Sequence, residues 1–296
     1  MAIPETQLET WAHQGSVVQS STTYGILKRA LEAANTRYSD KEFCVFLQGS
    51  YGNDTNIWAE SDVDVVIRLD SVFHHDLSEL SEEEQEAFNA THSNASYLYK
   101  DFKADVIAAL KSNFGTDVEP GPKAVKIKAG GSRRNADVII ATQFRRYHRF
   151  SSLGDQQYDG GIRFLTDSGD PVINYPKQHS ANCTAKHQAS GLWFKPMVRI
   201  LKNMRSRLVE DGAIESTTAP SYFIEGLLYN VPIENFGGTY EDTFVSAFNW
   251  ILNADRTPFV CANEQYYLLR DTSVTWPADK CDLFLRELAK LWKAWP

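Results

Sequence analysis

The sequence predicts an α+β protein, with strands gathered in its front half and helices in its back half. Three observations predict it. Residues 43–47 (F-C-V-F-L) and 63–69 (V-D-V-V-I-R-L) are short runs rich in β-branched residues that read as strands. After about residue 160 the apolar residues recur at helical spacing instead. The chain has 296 residues, 43% apolar and 23% charged, enough for one large core or two tightly packed ones. Its 17 glycines and 11 prolines are spread along it, which excludes a disordered, collagen-like or repeat-array protein.

Each element follows in order. Ile26, Leu27, Ala30 and Leu31 place a helix over residues 17–34. Strand 43–47 ends at Gly49, and strand 63–69 follows. Residues 76–86 carry six acids and no base, the signature of a solvated loop leading into a helix N-terminus. Residues 97–110 have the helical period. Residues 123–128 alternate basic and apolar, as a half-buried strand does, and Gly130-Gly131 turns the chain into a hairpin partner at 136–141. Helices are expected at 192–209, 222–229, 240–254 and 279–295. Gly154, Gly160, Gly161, Gly169 and Pro171 mark a change of character, so the chain is divided into 1–160 and 161–296.

Composition also sets limits on function. No run of 18 apolar residues exists to form a transmembrane helix, and the first ten residues lack the basic flank and apolar stretch of a signal peptide. Cys44, Cys183, Cys261 and Cys281 share no C-x-x-C pair and read as free thiols of a cytoplasmic protein. A net charge of -8 disfavours a long nucleic-acid partner.

The informative stretch is 47–67, L-Q-G-S-Y-G-N-D-T-N-I-W-A-E-S-D-V-D-V-V-I. On a strand, residues i and i+2 share a face, so Asp62 and Asp64 present two carboxylates side by side. Such a pair is costly unless a cation sits between them, and hard divalent ions alongside phosphates suit that role. Gly49 lets backbone approach a phosphate closely, and the Ser50 hydroxyl and N–H suit phosphate oxygens. An acid pair with a phosphate-gripping turn implies nucleotidyl transfer, which calls for a third acid on an adjacent strand. Asp137, in A-D-V-I-I-A, fits.

This segment resembles the signature of the DNA-polymerase-β-like nucleotidyltransferase superfamily. Four further pieces narrow the likeness: F-R-R-Y at 144–147, I-N-Y-P-K-Q-H at 173–179, F-K-P-M-V-R-I-L-K-N-M-R at 194–205, and the stretch from P-S-Y-F at 220–223 to Y-N-V-P at 229–232. With them the chain, from about residue 15 onward, resembles the CD-NTase (SMODS) family, the bacterial cyclic GMP-AMP synthase-like enzymes of CBASS anti-phage signalling. The resemblance implies a polymerase-β-like core, a mixed sheet with helices, packed on a C-terminal helical domain that closes the nucleotide cleft. It implies condensation of nucleoside triphosphates (ATP, GTP or others) into a cyclic di- or oligonucleotide that acts on a downstream effector. Asp62, Asp64 and Asp137 are then catalytic and hold two Mg2+ ions, with Mn2+ as the alternative. Gln48, Gly49, Ser50, Lys195 and Lys202 are assigned to the nucleotide, Ser221 to donor phosphates and Tyr222 to stacking on the donor base.

Other readings stay beside these. Lys195, Arg199 and Lys202 fall at i, i+4, i+7, one basic stripe of a helix that Pro196 helps to start, whereas Arg205 and Arg207 read as solvated. Tyr222 alone also reads as a core tyrosine opening an amphipathic helix. His179, Cys183 and His187 suggest zinc, but they lack a fourth ligand and lie in a stretch that reads as loop. The clustered-cysteine insertion of animal cyclic GMP-AMP synthase is missing, which argues against a double-stranded DNA sensor. Base choice points first to Asn174, Tyr175, His179 and Asn182. The rivals are a transferase of the same superfamily that adds nucleotides to an RNA end, a small molecule or a protein, and a catalytically dead nucleotide-binding core.

Overall fold

A computed structural model describes residues 2–58 and 62–295; Ala59, Glu60 and Ser61 of the motif spacer and the terminal Met1 and Pro296 lie outside the described residues. In chain order the elements are α1 (Glu5–Ala12), α2 (Val18–Leu31), β1 (Phe43–Leu47), α3 (Gly49–Gly52), β2 (Val63–Asp76), α4 (Glu82–Thr91), α5 (Tyr99–Phe114), β3 (Val118–Pro120), β4 (Val125–Ile127), β5 (Ala136–Ser152) and β6 (Asp155–Leu165). They continue with β7 (Pro171–Asn174), α6 (Pro176–Ala189), α7 (Phe194–Glu210), α8 (Ser221–Tyr229), α9 (Tyr240–Asn253) and α10 (Ala278–Lys293). The chain forms two compact units interleaved in sequence. One comprises residues 19–47 and 62–175, and the other 1–18, 48–61 and 176–296.

The first unit holds the sheet. Among the described residues its strands run β1-β2-β5-β4-β3, with β6 on β5 and β7 on β6. β2 and β5 are parallel while the other pairs are antiparallel, so the sheet is mixed. β2 is apolar enough to be buried in the middle of a sheet: Val63, Val65, Val66, Ile67 and Leu69 are wholly buried. β5 is long enough to serve two neighbours along one edge, β4 at its start and β6 beyond Thr142. Helix α5 turns Phe102, Val106 and Leu110, spaced i, i+4, i+8, inward. The acidic run is less of a loop than expected: Asp76 ends β2, and Glu82, Glu83, Glu84 and Glu86 already lie in α4. Ser81 and Glu84 form a capping box at α4, while Phe88 packs with Leu80, Tyr147 and Phe150.

The second unit is helical around α7, whose Phe194, Met197, Val198, Ile200, Leu201, Met204 and Leu208 are buried in its core. Helix α10 adds Cys281, Phe284, Leu285 and Leu288 at i, i+3, i+4, i+7. Trp276 is fully buried, and its indole N–H donates to Thr218 O at 2.8 Å. All four cysteines are free. Among the described residues no helix is long and apolar enough to cross a membrane.

Two expectations need correction. The glycine-rich stretch is the β6–β7 part of the sheet, so the division at 160/161 falls inside β6, and strand gives way to helix at Tyr175-Pro176. Residues 176–189 are helix α6 instead of loop. Gly161 explains the first. A Cβ there would lie 2.7 Å from Asn174 O and 3.0 Å from the Tyr175 ring, so the missing side chain permits close approach and does not mark a break. Gly161→Ala should therefore destabilise the protein by about 1–3 kcal/mol, read as a lower urea midpoint at unchanged m-value.

Candidate active site

Strand register sets two of the three acidic residues side by side. In the parallel β2–β5 pair, Asp64 stands opposite Asp137, flanked by the pairs Val63–Ala136 and Val65–Val138. Those flanking residues are buried and the two aspartates are only half-buried, so alternation turns the valines into the core and the carboxylates to the other face. Asp62, exposed just before the strand, has the same parity. On its far side Asp137 faces Lys126 of β4. Burial pushes the Asp137 carboxyl up, Lys126 pulls against this, and the charge of Asp62 raises it further; the balance is above the ordinary value. Carboxylate oxygens are the donors a hard divalent cation takes, and Asp64 and Asp137 stand in register to offer them.

The residues assigned to the nucleotide all belong to the helical unit. After β1 the chain reaches extended Gln48 and then Gly49, whose φ of 64° lies in the left-handed region where a side chain is strained. The Gly-Ser turn is thus a bend into the one-turn helix α3. Gln48 Oε1 is buried and accepts no hydrogen bond from the described residues.

Behind α3, the α7 stripe holds the segment at Asp54 and Thr55. Lys195 Nζ donates to Asp54 Oδ2 (3.0 Å) and Thr184 Oγ1 (3.3 Å), Arg199 Nη1 to Asp54 O (2.6 Å), and Lys202 Nζ to Thr55 O (2.8 Å). Lys195 and Lys202 are both buried, which two cations tolerate only with such acceptors. Arg207 pairs with Asp211 on the exposed surface, as expected of a solvated base, but Arg205 donates to Ala219 O at 3.0 Å and is partly buried.

Helix α8 opens with the half-buried Ser221 and Tyr222. The Tyr222 ring stacks on His179 of α6 at 4.6 Å and 22°, its hydroxyl accepts from Asn263 Nδ2 at 2.9 Å, and burial pushes that hydroxyl's pKa up. His179 Nε2 in turn meets Glu225 Oε2 at 2.6 Å. His179, Cys183 and Glu225 place one ligand atom each within 4.8 Å of one another, so Glu225 stands where the zinc reading put His187. The chemistry does not favour a metal here. Glu225 already accepts from Asn53, Thr55 and His179, and burial together with the Glu225 charge holds the Cys183 thiol well above its ordinary pKa.

Of the base-choice candidates, Asn174 Oδ1 accepts from its neighbour Tyr175 N, Tyr175 is buried against Phe144, and Asn182 Nδ2 donates to Ala262 O at 2.8 Å. Asn53, Asp54, Thr55 and Glu225 escaped sequence reading. One sign was available: Glu225 is the lone acid in the apolar run S-Y-F-I-E-G-L-L-Y.

Comparison with known proteins gives the family. Residues 181–293 match the model of the cGAS/DncV-like nucleotidyltransferase C-terminal helical domain. The chain is 40% identical over 297 residues to the cyclic UMP-AMP synthase of Rhodothermus marinus, covering 100% of this chain and 99% of that one. It is 35% identical over 306 residues to the cyclic nucleotide synthase CdnE01 of Staphylococcus haemolyticus, covering 100% of both. The structure of the Rhodothermus marinus CdnE c-UMP-AMP synthase with Apcpp and Upnpp superposes with a TM-score of 0.89 at 39% identity, covering 99% of this chain and 97% of that one. That of the Elizabethkingia meningoseptica CdnE cyclic dinucleotide synthase with GTP and Apcpp gives 0.76 at 30%, covering 98% and 99%. The chain belongs to the CD-NTase family. It is a nucleotidyltransferase of the cyclic nucleotide synthase kind.

Asp137 also makes a prediction about stability. Its raised pKa means that the folded state disfavours the charge, so at about pH 7 the ionised carboxylate lowers stability. In metal-free protein Asp137→Asn should raise Tm at about pH 7, and the gain should vanish on acidification as the wild-type carboxyl protonates. Thermal scans in chelator check this; an unchanged or lower Tm at neutral pH would contradict it.

Proposed function

We propose that the chain condenses nucleoside triphosphates into a cyclic dinucleotide by two-metal-ion chemistry at Asp62, Asp64 and Asp137. The observation that carries the reading is the register pairing of Asp64 with Asp137, with Asp62 on the same face. These carboxylates would hold two Mg2+ ions, or Mn2+. When bound there, such ions supply activation of the acceptor hydroxyl and neutralisation of the charge that develops on phosphate and pyrophosphate.

The chain's own residues do the rest. The half-buried carboxylates of Asp64 and Asp137 hold their places through the buried Val63, Val65, Ala136 and Val138 that flank them, so little rearrangement is needed at the moment of reaction. Gly49 and Ser50 approach the donor phosphates, Gln48 lies beside them in sequence, and Ser221 and Tyr222 take donor phosphate and base. Stacking on Tyr222 is worth about 1–3 kcal/mol and tolerates any base. Lys195 and Lys202 act chiefly by holding the segment behind the turn.

ATP and UTP are the first pair to test, because the full-length relative at 40% identity is a cyclic UMP-AMP synthase. A diffusible cyclic product needs a receptor, so we assign it to an effector in anti-phage signalling, on the strength of the family resemblance.

Asp62→Asn with Asp64→Asn should cut product formation by about 10²–10³ or more while leaving circular dichroism unchanged. The assay incubates each labelled NTP pair with Mg2+ or Mn2+ and looks for a phosphatase-resistant product. Full activity in a folded double variant would end the two-metal reading. A ladder or a labelled acceptor in place of the small product would favour a terminal or acceptor-modifying transferase.

A further inference from the structure

Glu225 has no part in the chemistry above, yet it is an almost wholly buried carboxylate on an apolar helix. A buried acid is costly unless it is fully hydrogen-bonded, and this one is. Oε2 accepts from Asn53 Nδ2 at 3.0 Å and from His179 Nε2 at 2.6 Å, while Oε1 accepts from Thr55 Oγ1. Burial pushes its pKa up, but the His179 hydrogen bond and the charge of Lys202 outweigh this and hold it below the usual carboxylate range.

Its partners lie on segments that carry nucleotide contacts in the proposed function. Asn53 and Thr55 directly follow α3, which begins with Gly49 and Ser50. His179 stacks on Tyr222, one helical turn before Glu225 on α8, and its neighbour Ser180 donates to Gly52 O at 3.1 Å. Lys202 closes the network through Thr55 O.

We propose that Glu225 is a positioning residue for nucleotide binding, one carboxylate that locks the chain behind the Gly49-Ser50 turn to the helix presenting Ser221 and Tyr222. The inference rests on the proposed nucleotide reading of those residues. A nucleotide gripped at phosphates and base gains from both only if the two grips are fixed relative to each other. Without the carboxylate, Asn53, Thr55 and His179 lose their shared acceptor, and the turn and the stacking platform are no longer tied.

The test uses the full-length protein and three variants. Glu225→Gln keeps the shape and removes the charge, His179→Gln keeps a donor toward Glu225 but loses the stacked ring, and Thr55→Val removes one donor almost isosterically. The readouts are KM and kcat for the NTPs that wild type uses, and Kd for the non-hydrolysable Apcpp by calorimetry. Glu225→Gln should raise KM and Kd about ten-fold while kcat changes less than about three-fold, and the other two should raise Kd about three-fold. A merely structural role would lower kcat through a smaller folded fraction and leave KM and Kd unmoved. If Glu225→Gln does not fold, the other two variants decide. Wild-type Kd and KM in the folded variants would overturn the positioning role alone. Failure of wild type both to bind Apcpp and to make product would overturn the nucleotide reading, and this inference with it.

Discussion

The parallel pairing of β2 with β5 is the constraint on which the proposed chemistry depends, and its register matters as much as its existence. Side chains on a strand alternate, so a slip by one residue would send Asp64 into the core and Val65 to the acidic face. The slip is prevented from the apolar side. Val63, Val65, Ala136 and Val138 bury together, and none could be exchanged for an aspartate without stranding a charge. The hydrophobic effect thus sets where Asp64 and Asp137 stand, and the raised pKa of Asp137 records chiefly the burial this imposes, with the charge of Asp62 adding to it.

The helical unit solves a different problem by polar means. A glycine bend followed by a single helical turn has little structure of its own, so it has to be held from outside. Lys195, Arg199 and Lys202 reach Asp54 and Thr55 from α7, while Glu225 reaches Asn53 and Thr55 from α8. Cations and an anion thus act on adjacent residues, and each buried charge has a named partner. The two lysines that the family resemblance assigns to the nucleotide also hold, together with Arg199, the chain behind the turn.

Legibility followed periodicity. Helices α7 and α10 have a strong apolar stripe and were placed to within a few residues, as was β1 with its apolar run. Helix α6 escaped because its sequence, P-K-Q-H-S-A-N-C-T-A-K-H-Q-A, buries only His179 and Cys183 and so shows almost no stripe. Strands β6 and β7 escaped because Gly160 and Gly161 look like punctuation, whereas Gly161 is there for the approach of Asn174. The shared face of Asp62 and Asp64 was legible because i and i+2 point the same way whatever the neighbours are, and Asp137 stood out as the acid of an apolar strand run.

By itself the sequence determined what depends on neighbours along the chain: the α+β character, most elements, the shared face of the acid pair, the glycine bend and the basic stripe of α7. Only the tertiary structure decided what depends on distant partners. It set Asp137 beside Asp64, put Glu225 where a zinc reading wanted His187, and turned the stripe onto Asp54 and Thr55. The reason is physical: a local period is written in consecutive residues, but a hydrogen bond such as that between Thr55 and Glu225 spans 170 residues and forms only once the core has brought its ends together.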